Sequence, residues 1–362
     1  MTIRYGLVGL DVGKTYYVEI DPNVILGEQW IDGNWDYFDG LEKGEWTFSI
    51  SEESTFKFLA SEGNQDLEYT YNYTDDYFNV NSYYYNHDLA KTSLALSLSA
   101  FNSCIATNAN YDKTDAARNV IAMLGDMGFE DINVDSYEEK PTANSIAQAI
   151  GHKSIIIDGM DYTLLTIAVR GGGYEAEWVN NFKVGSDSQH VGFNDSANSV
   201  IESIEEYIED ELTAAERSNI KIWLTGFGRG AAVANVAGHK INTLAGDSGS
   251  IFANVATGNV YVYTFATPMA AAGEQASPKE ENIYNIINPV DLITKLTPSV
   301  WGFYRYGTTY SLPSQETDSK LFEAVRDDAI NISAELTGKI TTIALTWQGS
   351  ALDSIVNAMS VM

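Results

Sequence analysis

One short stretch constrains the fold more than any other: IKIWLTGFGRGAAVANVAG, Ile220 to Gly238. Ile220–Thr225 is a run of apolar and β-branched residues that reads as a buried strand. A glycine-rich turn follows at Gly226, Gly228 and Gly230. Beyond it, small residues at helical spacing allow a helix to lie close against the strand. Strand, sharp turn and close-packed helix form a unit of α/β proteins.

Two chemistries use that layout. One is a nucleophile elbow, G-x-S-x-G, with Gly228 standing where the serine would be. The other is a dinucleotide loop, G-x-G-x-x-G/A, which Gly226, Gly228 and Ala231 fit as written. The second also needs an acidic residue at the end of the next strand, about 20 residues on, to hold a ribose. That distance falls in AGDSGSIFANV, a polar loop containing Asp247, and the following strand VYVYTF ends in Ala-Thr-Pro. The loop also lies after at least two earlier strands instead of opening its domain. The dinucleotide reading fails, and no cofactor is expected.

The rest of the chain supplies the context. Over residues 1–75, runs such as YYVEI, EWTFSI and TFKFLA alternate with Gly, Asp and Asn clusters, which predicts an antiparallel β appendage. The tract 69–88, YTYNYTDDYFNVNSYYYNHD, is dense in tyrosine. It reads as packing at a half-buried strand edge, with a face for a polymer or protein partner as the rival. LAKTSLALSLSAF and AARNVIAMLGDMGF carry helical spacing, the latter ended by Gly125 and Gly128. SIIID (154–158) and YTLLTIAVR (162–170) read as buried strands, as do Val260–Ala266 and Ile283–Ile287. Between His190 and Leu212, an N-cap at Asn194 or Asp195 opens a helix with Val200, Ile204, Ile208 and Leu212 as its buried stripe. This alternation predicts a mostly parallel sheet flanked by helices.

Five segments in order carry a family resemblance: TIAVRGGGYEAEW (166–178), HVGF (190–193), LTGFGRGAA (224–232), TFATP (264–268) and NPVD (288–291). Together they resemble the class 3 lipases, fungal-type and bacterial, of the α/β-hydrolase fold. DDYFNVNSYYYNHDLA also looks like the opening region of bacterial members. The resemblance implies a hydrolase domain over residues 76–312, behind the 1–75 appendage, with 313–362 as a C-terminal extension over the pocket. It also implies ester hydrolysis as the ancestral chemistry, and an acyl ester or lipid-like ligand. By resemblance Gly228 holds the nucleophile position and Asp291 that of the triad acid. The oxyanion hole falls to backbone N–H groups of Gly172 and Arg229, and Gly226 and Gly230 shape the elbow.

Two departures stand out. Glycine has no hydroxyl, so Gly228 can form no acyl-enzyme. A triad also needs a histidine beyond the acid, whereas His87, His152, His190 and His239 all precede Asp291. His239 follows Gly228 by 11 residues, about 16 Å along a helix, out of hydrogen-bond reach. The sequence therefore predicts a catalytically silent relative, a pseudoenzyme. Two alternatives stand beside it. One is an active lipase or esterase whose nucleophile has been substituted, or whose histidine lies past Met362. The other is an extracellular protein that binds through its tyrosine-rich β appendage.

Composition narrows the partners. Fifty acidic residues against 21 Lys and Arg give a formal charge of −29, a surface that repels nucleic acid. The single cysteine, Cys104, supports neither a disulfide within the chain nor a thiolate metal site. The acid-rich patches lack the spacing of a calcium loop, so no metal is expected. GDSG (246–249) reads as a polar turn. Trp178 and Trp301 read equally as core anchors and as substrate contacts. MTIRYGLVGLDVGK is too short and too interrupted for a signal peptide, and no apolar run is long enough to span a membrane. Secreted and cytoplasmic settings both remain open.

Overall fold

In the computed structural model the described residues run from Thr15 to Pro313, with Lys320. They leave out 23–25, 32–33, 38–39, 50–53, 63–64, 104–111, 139–141, 143–144, 172–189, 273–279, 290, 292 and 296–301. Gly172, Trp178, Trp301 and Cys104 thus lie outside the described residues, as does nearly all of 313–362. The chain divides into two compact units, Met1–Ser54 and Thr55–Met362.

The first unit is β-rich, as its turn-punctuated runs predict. β1 (Thr15–Ile20) pairs antiparallel with β4 (Leu41–Ser49), and β2 (Leu26–Ile31) with β3 (Asn34–Tyr37).

In the second unit β5 (Ser54–Glu62) and β6 (Gln65–Tyr73) form a two-stranded sheet. A seven-stranded sheet follows, in the order β15-β13-β11-β10-β9-β8-β7. Its strands are β7 (Glu130–Asn133), β8 (Gln148–Ile157), β9 (Met160–Val169), β10 (Ile220–Phe227), β11 (Val255–Phe265), β13 (Ile283–Ile287) and β15 (Thr308–Ser311). From β9 to β15 every pairing is parallel, while β7–β8 and β8–β9 are antiparallel. The β8–β9 hairpin turns at Asp158 and Gly159, whose φ values are 52° and 78°. Asp-Gly is a strong hairpin signal. β12 (Ala271–Ala272) and β14 (Phe303–Tyr304) pair separately.

Both faces of the sheet are covered, and β10 shows why. All eight of its residues are buried, with alternate side chains serving two cores. Trp223 and Phe227 join one core with α1 (His87–Ser99) and α2 (Arg118–Asp126). Ile220, Ile222 and Leu224 join the other with α3 (Val191–Asp210) and α4 (Arg229–Leu244). Trp223 is anchored by its indole N–H, which donates to Ser93 Oγ at 2.8 Å.

The tyrosine tract feeds the first core. Tyr71, Tyr73, Tyr77 and Phe78 are buried, with Tyr73 stacked on Trp223 at 6.2 Å and Phe78 edge-on to Tyr261 at 5.2 Å. Tyr83 and Tyr84 remain outside, 37% and 70% exposed.

Two helix ends differ from the sequence reading. α3 begins at Val191 with His190 as N-cap, ahead of Asn194 and Asp195; His190 Nδ1 accepts the Phe193 N–H at 3.3 Å. An imidazole nitrogen here does the work usually given to an Asx or Ser oxygen. Leu212 lies past the helix end but is buried with Val200, Ile204 and Ile208. α2 runs through Gly125 to Asp126, and only Gly128 has the left-handed backbone of a helix stop, at φ 82°.

Candidate active site

Parallel strands deliver their following loops to one end of the sheet, so the site is assembled at the C-terminal ends of β9, β10, β11 and β13. Those ends are in register: Phe227 stands opposite Phe265, and Phe265 opposite Ile286. At about 4.8 Å per strand, the chain leaving β13 starts roughly 10 Å from the chain leaving β10.

Gly228 is the turn between β10 and α4. Its φ of 56° and ψ of −118° lie outside the regions open to ordinary L-residues without strain. Its N–H donates to Phe265 O at 2.8 Å and its carbonyl accepts from Ala232 N at 3.1 Å. A Cβ placed on Gly228 would meet nothing within 4 Å, so a side chain there projects into open space. The two flanking glycines are closed in. A Cβ on Gly226 would collide with the backbone of Gly230. One on Gly230 would lie 2.5 Å from the carbonyl oxygens of Val169 and Arg170. The helix thus sits directly on the end of β9.

Arg229 opens α4. Its buried guanidinium donates from Nη2 to Ser145 O at 2.9 Å and to Ser196 Oγ at 3.3 Å, tying the elbow to the chain before β8 and to α3. Gly171 leads out of β9 beside the elbow; its Cβ would fall 3.0 Å from Phe227 O and 2.5 Å from the ring of Phe101. Gly172 is the next residue in the chain and lies outside the described residues. Arg170 is buried, donating to Asn102 Oδ1 at 2.7 Å with its guanidinium over the ring of Tyr137.

Asp291 follows β13 and is buried at 3% exposure. Its N–H donates to Asn288 O at 3.1 Å, and its carbonyl accepts from Thr294 Oγ1 at 2.8 Å. Arg305 clamps this loop to the end of β11, donating from Nε to Thr267 O at 2.6 Å and from Nη2 to Thr294 O at 2.5 Å. Burial pulls this guanidinium down to about 10.

Behind the clamp runs a buried polar chain that the sequence reading missed. Asn235 on α4 donates to Asn285 Oδ1 at 2.8 Å and to Tyr306 O at 2.9 Å, and accepts the Tyr306 N–H at 3.1 Å. Thr264 Oγ1 donates to the same Asn285 oxygen at 2.8 Å, and Thr267 Oγ1 to Thr264 Oγ1 at 2.9 Å. Two asparagines at ordinary positions on a helix and a strand give no local signal; only the packing brings them together.

All four histidines have other neighbours. His87 Nδ1 lies 3.1 Å from the Tyr85 hydroxyl, and His152 Nδ1 lies 2.9 Å from that of Tyr207. His190 caps α3 and stacks on Phe193 at 4.2 Å. His239 pairs with the buried carboxylate of Glu280 at 2.6 Å and stacks on Tyr306 at 3.9 Å. In the GDSG segment, Gly246 has φ 75° and Asp247 Oδ1 accepts the Gly249 N–H at 3.0 Å, which makes it a polar turn.

Comparison with known proteins agrees with this geometry. Residues 166–301 match the family model described as Lipase (class 3). The sheet and its elbow have the layout of an α/β-hydrolase, and the match gives residues 166–301 a class 3 lipase-like character. No curated protein matches the chain. Among solved structures, the chain is similar to the Rhizomucor miehei lipase in its propeptide complex, at 16% identity and a TM-score of 0.42, over 68% of this chain and 71% of that one. The lipase from Rhizopus microsporus var. chinensis matches at 15% identity and a TM-score of 0.41, over 61% and 73%. Among the described residues, no helix is long and apolar enough to cross a membrane.

Proposed function

We propose that this chain is a catalytically silent lipase relative that binds an acyl ester or lipid-like ligand within its hydrolase domain, residues 76–312. The observation that carries the reading is Gly228. It stands at the strained strand-to-helix turn with open space on its side-chain side, and it has no hydroxyl to attack with. In this reading the N–H groups of Arg229 and Gly172 remain as donors to a ligand carbonyl, needing no particular side chain. In this reading Asp291 stands where a triad acid would, and none of the four histidines in this sequence follows it. The clamp by Arg305 and the buried asparagines keeps the acid's loop in place without catalysis.

A second reading draws on the same open space: the protein is a lipase or esterase with its nucleophile replaced, and the elbow would accept serine. Labelling by a fluorophosphonate, on this chain and on Gly228→Ser side by side, separates the two. The silent reading expects neither protein to label or to cleave a p-nitrophenyl ester while both stay folded. Labelling and turnover by the serine variant would overturn it and establish a hydrolase lacking only its nucleophile. If neither reacts and a fluorescent acyl ester fails to bind, the ligand part of the proposal is wrong. Partner binding through the exposed Tyr83 and Tyr84 would then be the function to test.

A further inference from the structure

Four tyrosines converge where the large sheet ends at β15, on residues that neither the elbow nor the acid loop uses. Tyr263 on β11 stands opposite Tyr284 on β13, with ring centroids 5.2 Å apart. Tyr310 on the edge strand β15 follows, 6.3 Å from Tyr284. Tyr85, just ahead of α1, packs against all three, at 6.0 Å from Tyr263, 5.3 Å from Tyr284 and 4.8 Å from Tyr310. The array runs from core to solvent. Tyr263 and Tyr284 are buried, Tyr85 is partly buried, and Tyr310 is 37% exposed.

Two details set the outer pair apart. Among the described residues no two tyrosine rings lie closer than Tyr85 and Tyr310, and their 4.8 Å is near the short limit, about 4.5 Å, of aromatic packing. The Tyr85 hydroxyl also lies 3.1 Å from Nδ1 of His87, itself partly exposed. A neutral imidazole carrying its hydrogen on Nε2 accepts at Nδ1, which gives this phenol a base at hand. The Tyr284 hydroxyl donates instead to the Ser82 carbonyl at 3.0 Å, an oxygen that cannot carry the proton away. A phenol gives up an electron readily only when its proton leaves as well, so the array is most easily oxidised at its outer end.

We infer that Tyr85 and Tyr310 form an oxidative modification site, at which a one-electron oxidant joins the two rings as dityrosine. Each phenol gives one electron to the oxidant. The Tyr85 proton passes to His87 Nδ1 and the Tyr310 proton to water. The two phenoxyl radicals then pair: a carbon–carbon bond forms between ring carbons ortho to the two oxygens, and the hydrogen on each joined carbon moves to its oxygen as aromaticity returns. The product is lighter than the parent by two hydrogen atoms, and the oxidant holds two more electrons. The new bond staples the chain ahead of α1 to β15. A formal charge of −29 draws a cationic oxidant to the surface.

The test is oxidation of the full chain by photogenerated ruthenium(III) tris-bipyridine, with persulfate as the final acceptor of the two electrons. The expected result is dityrosine fluorescence in chains that stay single, at a yield independent of protein concentration, with peptide mass spectrometry finding Tyr85 joined to Tyr310. Tyr310→Phe should remove that peptide pair, whereas Tyr84→Phe, which deletes a neighbouring phenol at 70% exposure, should leave it. His87→Leu should cut the yield several-fold, and imidazole in the buffer should restore it, which loss of a purely structural ring would not allow. Dityrosine that joins other tyrosines, or that forms only between chains and grows with concentration, would overturn the inference. So would a folded chain in which Tyr84 is oxidised and Tyr85 is untouched. A folded His87→Leu protein that cross-links as well as the parent would overturn the proton route.

Discussion

The amide of Gly228 donates to the carbonyl of Phe265 across 2.8 Å, and that one bond fixes the turn of the elbow against the neighbouring strand. It holds the backbone in a conformation that glycine tolerates best. Gly228→Ala should therefore destabilise the fold by about 1–2 kcal/mol through backbone strain alone, since the new methyl meets open space. Gly230→Ala should cost more, because its methyl is driven into two carbonyls of the β9 end. Urea denaturation of both variants checks the order; a Gly230→Ala protein as stable as Gly228→Ala would show that the helix does not sit tightly on β9.

Asn235 and Asn285 carry the polar link between α4 and β13. Asn235→Ala leaves the backbone N–H of Tyr306 buried without the amide oxygen it uses now, a loss of about 2–3 kcal/mol. Because both side chains act in one network, the Asn235→Ala, Asn285→Ala double variant should lose less than the sum of the singles. A double-mutant cycle by denaturant unfolding measures this, with a coupling of about 1 kcal/mol expected.

His239 Nδ1 lies 2.6 Å from a carboxylate oxygen of Glu280 toward the C-terminal end of α4, where the carboxylate is 3% exposed and the imidazole 29%. His239→Phe keeps a ring against Tyr306 but removes the hydrogen-bonding partner of a buried carboxylate, so a loss of about 1–3 kcal/mol is expected. Adding Glu280→Leu should recover much of that loss. Thermal unfolding of the three variants decides between an electrostatic and a purely stacking role.

Glu216 gives the protein an acid-sensitive contact. Its carboxylate accepts Thr213 Oγ1–H at 2.6 Å and Thr213 N–H at 2.8 Å, and these bonds hold it below its ordinary value of 4.5. A depressed carboxylate contributes stability that is fully present above 4.5 and is lost as the pH falls through its lowered value. Glu216→Gln should thus melt lower than the parent at pH 7, with the gap closing toward pH 3. A gap independent of pH would mean that the side chain matters through shape alone.

Much of this architecture was legible in the chain itself. Continuous apolar runs specified β10, β11 and β13, and the spacing of Val200, Ile204 and Ile208 specified the buried face of α3, because periodicity is a local property. Gly226, Gly228 and Gly230 marked the elbow, since only glycine satisfies both a strained turn and backbone contact on each side of it. The order of five short segments carried the resemblance to lipases, and the proposal of a silent elbow rests on a single letter, the glycine at 228.

Other features became visible only with the chain folded. The sheet is mostly parallel, as its sequence predicts, and the Asp158-Gly159 hairpin adds the antiparallel strands β8 and β7 at one edge. Tyr71, Tyr73 and Tyr77 of the tyrosine tract, with Phe78, went into the core, where Trp223 and Tyr261, far away in sequence, pack against Tyr73 and Phe78. The N-cap of α3 moved to His190, whose ring nitrogen accepts like an Asx side chain. The Asn235–Asn285 link, the Arg305 clamp and the Tyr85–Tyr310 contact each join residues that stand well apart in the sequence. No local pattern encodes such contacts: they follow from how the strands and helices pack, and packing is decided by the whole chain at once.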